Sequence, residues 1–253
     1  MLTVYTRLQR RARQIVSRYP PPDFYTDFSR AFNLSRSTFD TQPTISDLRS
    51  FVAQRLEDDF GHGLLHATKV ALDAGCLLMI EGERSGYSPR LLKRLMVVVQ
   101  SAALLHDLKR KEPDHAVRGA SFAAVLLGGY PFSIEEREDV RLAILDHEAF
   151  KKRVPINSQR GAMVSDCLYD ADKFRWGPDN FTDTLWHMVF FQNPPFEDFV
   201  ARFPKGLQSL SRIRETFRTA TGRRYGPRFI DIGIAVGEEL FEVIKTEFLH
   251  PAT

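Results

Sequence analysis

Five of the seven histidines lie between positions 62 and 147: His62, His66, His106, His115 and His147. Asp107, Asp146, Asp170 and Asp172 accompany them. One histidine on an apolar helix is ordinarily a satisfied core residue. Several of them with carboxylates point instead to a metal site. Imidazole with carboxylate suits Zn, Fe, Mn, Co or Ni, whereas calcium or magnesium alone favours oxygen donors. His106-Asp107 is the sharpest local feature, closing the apolar run 97–105 just before Lys109-Arg110-Lys111-Glu112. Neighbours on a helix project about 100° apart, so both reach one ion only at a helix end or through convergent rotamers. Asp170 and Asp172 stand two residues apart and point to nearly opposite sides, so one of the two reaches an ion, and spacing leaves open which.

Other candidates are ranked by context. Lys109, Lys111 and Arg118 lie close to the His-Asp pair and can neutralise a phosphate, while Lys69 and Lys173 sit beside candidate ligands. His62, between two glycines, reads as preceding its helix, His187 as a core histidine bonded to a neighbour, and His250 as exposed. There is no Gly-rich phosphate loop and no CxxC pair.

The elements that must position these residues read as helical almost throughout. After Pro20-Pro21-Pro22, a polar Ser/Thr-rich stretch runs to Pro43, and Ser46-Asp47 reads as a helix cap. Leu64 to Ile80 has the composition of a buried helix, and Ser88-Pro89 opens another that ends at Leu105. Ala116 to Leu127 stops at Gly128-Gly129, and Ser133 with Glu136 forms a capping box for a helix reaching Asp146. Further helices are expected near 166–174, 182–191, 207–218 and 228–249, with 222–226 read as a turn. No stretch alternates at period two, so the expected class is all-α in a single domain.

The chain has 253 residues, 43% hydrophobic and 26% charged, which excludes disordered and low-complexity architectures. Its longest apolar run, 122–127, falls short of the ~20 residues a membrane span needs, and no secretory signal is read at the start. Two cysteines make no disulfide scaffold, so a soluble, cytoplasmic protein without a membrane partner is expected. The net charge of +3 says little about partners, and no nucleic-acid partner is expected. Arg7, Arg10, Arg11, Arg13 and Arg18 decorate an amphipathic helix whose Val4, Tyr5, Leu8, Ala12, Ile15 and Val16 pack inward.

The order His66-Ala67-Thr68-Lys69-Val70, then His106-Asp107, then Asp170-Ala171-Asp172-Lys173 resembles the HD-domain superfamily of metal-dependent phosphohydrolases. The resemblance covers 58–178. It implies an HD-domain-like helical bundle, with 1–57 an N-terminal helical arm and 179–253 C-terminal helices packed on the same domain. The small bacterial members are similar through H-D-x-x-H-x-x-R-V and D-A-D-R-L-D; here Gly63 replaces the first Asp and Arg175 the last. Arg118-Gly119-Ala120, and Ile144 followed by His147, fall where such proteins carry R-G-A and I-x-x-H.

The resemblance implies one or two divalent ions per chain (Mn, Fe, Co, Ni, Zn or Mg), held by His66, His106, Asp107 and Asp172. It leaves Asp170 as a partner of that set or a helix-end charge. His115 and His147 then complete a second ion or bind substrate phosphate. Lys109, Arg118 and Lys173 are the expected catalytic cations. The implied reaction is hydrolysis of a nucleotide or other phosphate ester by metal-activated water. Two alternatives stand beside it: a di-iron oxygenase of the same fold using all six donors, and a non-catalytic metal- or nucleotide-binding signalling module. Residues 1–57 and 179–253 offer a surface for a partner or a second copy of the chain.

Overall fold

The computed structural model describes residues 3–55 and 63–249. His62 and His250 lie outside the described residues. Among those described, all regular structure is helical: α1 (Val4–Val16), α2 (Phe24–Asp27), α3 (Ser29–Thr41), α4 (Pro43–Ala53), α5 (Leu64–Arg84), α6 (Pro89–Leu105), α7 (His115–Leu126), α8 (Ile134–Leu145), α9 (Gln159–Phe174), α10 (Leu185–Gln192), α11 (Phe196–Ile213) and α12 (Ala220–Val243). A π-helical turn, Asn180–Thr184, leads straight into α10, and another, Ile244–Leu249, extends α12. No described helix is long and apolar enough to cross a membrane.

The centre is the α5–α6 hairpin, flanked by α9, α8 and α3. Every residue of α6 from Leu95 to Leu105 is buried, which explains a run with no polar face. Its start is set by the Ser88 hydroxyl, which accepts from Leu91 N, with Pro89 in the first turn, where its missing N–H costs nothing. The Ser133–Glu136 capping box forms as expected: the hydroxyl accepts from Glu136 N at 3.2 Å, and the Glu136 carboxylate accepts from Ser133 N at 2.8 Å.

Several boundaries differ from the sequence reading. The polar stretch before Pro43 is helical, because α3 buries Ser35 and Phe39 instead of a continuous apolar stripe. At Gly75 of α5, a Cβ would lie 2.3 Å from Ser35 Oγ, so α3 approaches where α5 has no side chain. Ser35 Oγ donates to Leu72 O, and Gln100 Nε2 of α6 donates to Ser35 O, a buried polar knot joining three helices. α4 starts at Pro43, so Ser46 lies inside it. α9 begins at Gln159, seven residues ahead of the expected start, capped by Ser158.

The segment expected at 207–218 is the end of α11, which runs across Pro204 and stops at Ile213. Gly222–Gly226 is no turn: it opens α12, which carries Pro227 within it. Asp170 explains that start. From α9 its carboxylate accepts from Arg218 N, Thr219 N and Thr219 Oγ1, each at 2.8 Å, placing a negative charge at the positive end of α12. A Cβ on Gly222 would lie 2.0 Å from that carboxylate.

Candidate metal centre

Five helices deliver the candidate donors to one place. His66 comes from the first turn of α5, His106-Asp107 from the end of α6, His115 from the start of α7 and Asp172 from the last turn of α9. His147 follows the α8 C-terminus. All six side chains are buried. The chain breaks out of α6 at the His-Asp pair, and this lets neighbouring residues face the same space.

Asp107 is the hub. Its Oδ2 lies 3.4 Å from His106 Nε2 and 4.0 Å from His66 Nε2. Its Oδ1 lies 3.5 Å from His147 Nε2 and 3.8 Å from His115 Nε2. Asp172 Oδ1 stands 3.3 Å from His66 Nε2 and 3.8 Å from His106 Nε2. Donors bound to one ion at about 2.0–2.1 Å sit roughly 3–3.5 Å apart, and these spacings approach that. Two donor triads result, His66–His106–Asp107 and Asp107–His115–His147, each able to hold a metal ion.

The imidazoles are oriented for this. His106 Nδ1 lies 2.6 Å from Ala103 O, and His147 Nδ1 lies 2.6 Å from Ile144 O. A hydrogen on each Nδ1 leaves the Nε2 lone pair facing the cluster. His106 Nε2 is buried and makes no hydrogen bond of normal geometry, an expensive state for a polar atom that a bound cation relieves. The residues present therefore fit a divalent ion.

Charge is also arranged. Lys173, itself buried, donates to Asp172 Oδ2 at 2.5 Å and to His147 O at 3.1 Å. Burial opposes ionisation of Asp172, yet Lys173, His66 and His106 together hold its carboxyl well below the usual range. Burial likewise opposes charge on His106, and Asp107 with Asp172 outweighs it, raising the imidazole above its ordinary value. His115 goes the other way: burial, then the Arg110 guanidinium, pushes it down to about 4. Arg110 Nη1 stands 2.9 Å from His115 Nε2.

A cavity of about 260 Å³ opens onto the cluster, lined among others by His66, Asp107, His147, Asp172, Arg110 and Lys173. Two of the three expected catalytic cations lie elsewhere. Lys109 and Arg118 both pair with Glu112, at 2.8 and 3.4 Å, and neither lines the cavity. The cations that do line it are Arg110, Lys173 and Arg175. Arg175 is buried, bridging Asp73, Tyr25 and Asp179. Asp146 takes no part in the cluster; it accepts from Arg218, Arg153, Ser165 and Val154 N. His187 is not the satisfied core histidine expected, since its Nδ1 is buried without a hydrogen-bond partner. Lys69 turns away to Asp179 and Asp183.

No protein-family model, no curated protein and no solved structure matches this chain.

Proposed function

We propose that this chain is a metal-dependent phosphohydrolase of HD-domain type, acting on a nucleotide or other phosphate ester. The observation that carries the reading is the division of Asp107: one oxygen faces His66 and His106, the other His115 and His147. A carboxylate so placed, with cationic side chains lining the adjoining cavity, suits a phosphate held against metal. A bound divalent ion would supply Lewis acidity and lower the pKa of water towards neutrality.

The chain's own residues do the rest. The backbone carbonyls of Ala103 and Ile144 fix the rings of His106 and His147, so no reorientation is needed on loading. Lys173 keeps Asp172 ionised and offsets the surplus of carboxylate charge. Arg110 and Arg175 face the cavity, where guanidinium groups match phosphate oxygens in pairs. Were His115 Nε2 to hold a metal ion, the Arg110 guanidinium now 2.9 Å from it would be available to the substrate.

The test is the metal content per chain of protein purified without chelators or affinity-tag nickel, wild type beside His106→Ala, followed by phosphate release from a nucleotide panel. One or two Mn, Fe, Co, Ni or Zn ions per chain, lost in the variant, with phosphate released, is the expected result. No metal in either protein after reconstitution overturns it. The convergence of all six donors also favours a second reading, a di-iron oxygenase; two irons with oxygen consumption and no phosphate release would select it.

A further inference from the structure

The metal-facing cavity adjoins a second one across a shared wall. Trp176, Asn180 and Met188 line both. The second, about 280 Å³, lies between α10 and α11, and Phe181, Leu185, Val189, Phe199, Phe203 and Leu207 supply much of its apolar lining. No carboxylate lines it. Neither cavity alone reaches the roughly 300 Å³ at which small-molecule sites begin, whereas the two joined do. One end of the combined space holds Arg110, Lys173, Arg175 and the donor cluster, and the other is mainly apolar, with Asn180, Gln192, Arg202 and Ser209 as its polar lining. Met188 stands at the junction, an adaptable side chain suited to a non-rigid group.

The geometry points to a substrate that is a phosphate monoester of an apolar alcohol, its hydrocarbon chain seated in the α10–α11 cavity and its phosphate at the donor cluster. The inference rests on the hydrolase reading for the identity of the head group. A ribose and base would leave hydroxyls and ring nitrogens against phenyl and leucyl walls, at a desolvation cost. An alkyl chain gains from the same walls.

Gly206 supplies the test position. It lines the apolar cavity at an exposed position, and a Cβ built on it meets nothing within 4 Å, so a larger side chain fits there without a clash. Binding of methyl, butyl and octyl phosphate and of AMP to the protein as purified would be measured by titration calorimetry, with phosphate release followed for each. Affinity is expected to rise about three- to fourfold per added methylene until the cavity is filled. Gly206→Phe, and independently Met188→Phe at the junction, should each cut the octyl-to-methyl affinity ratio at least tenfold.

Equal affinities along the series, tighter AMP binding, or a ratio untouched by both substitutions would overturn the inference. Phosphate release in those cases would leave the hydrolase reading standing. Chain-length-dependent binding that both substitutions weaken, without phosphate release from any ester, would uphold the apolar site and remove the hydrolase reading.

Discussion

Lys173 donates to the Asp172 carboxylate and to the carbonyl of His147, so a single ammonium group ties the end of α9 to the segment after α8. Replacing it with methionine keeps the stem and removes the charge. Lys173→Met is expected to lower divalent-metal affinity about 10–100-fold, the usual cost of losing a partner that orients ligands, as read by competition with a chromophoric chelator.

A pH signature belongs to Asp73, which pairs with Arg175 and is not one of the donors. Burial, against the pull of Arg175 and the Tyr25 hydroxyl, pushes its carboxyl up to about 6. The folded chain therefore holds this proton more tightly than the unfolded chain does. The resulting stabilisation is complete below about pH 4 and is lost as pH rises through about 6. Asp73→Asn should flatten the fall in Tm between pH 4 and 6.5 relative to wild type; an unchanged slope would contradict the assignment.

The histidines and Asp107 stood out in the sequence where apolar pattern gives way to polar, whereas Asp172 was preferred to Asp170 only through the family resemblance. Of the cations lining the cavity, only Lys173 was expected there. Lys109, Arg110 and Lys111 are consecutive, and only the direction of the turn after α6 decides which of them faces the cavity. Arg175 was hidden for another reason: a buried arginine is recognised by its partners Asp73, Tyr25 and Asp179, which are scattered along the chain.

At the level of elements, the helices with regular apolar faces or capping residues were readable, and those held by polar contacts were not. α3 turns Ser35 inward, so its periodicity is broken at the residue that packs most closely. α12 begins where Asp170, fifty residues earlier, satisfies its first amides, a long-range cause with no local mark except Gly222. Gly75→Ala is expected to destabilise the fold by about 1–3 kcal/mol in urea unfolding, since the added methyl meets the Ser35 hydroxyl against a packed helix. Ser133→Ala should cost about 0.5–2 kcal/mol by removing one half of the capping box.

Over the whole molecule, the N-terminal arm packs on the remaining helices. α3 and α4 pack on α5 and α6, and α1 lies along α12 and the 180–184 turn. Its arginines meet acids: Arg11 pairs with Glu247, Arg18 with Glu239 and Arg13 with Asp183. These pairs are partly exposed and each is worth up to about 1 kcal/mol, whereas Leu8 and Ile15 are buried. Leu8→Ala is accordingly expected to cost ~2–5 kcal/mol in urea unfolding and Arg11→Ala less than about 1 kcal/mol.

The π-helical turn at 180–184 has a further consequence, one of phase. A π turn carries one residue more than the α-helical path, and each residue is worth about 100° of rotation. Everything downstream in α10 is thus clocked by that extra residue, including Leu185, Met188 and Val189, which line the apolar cavity. Gln9 and Arg13 of α1 both reach the carbonyl of Thr182 and hold the turn from outside. Excising a single residue from 180–184 would rewind the segment and swing those three side chains a quarter-turn off the cavity wall, leaving His66, His106, His115 and His147 where they are.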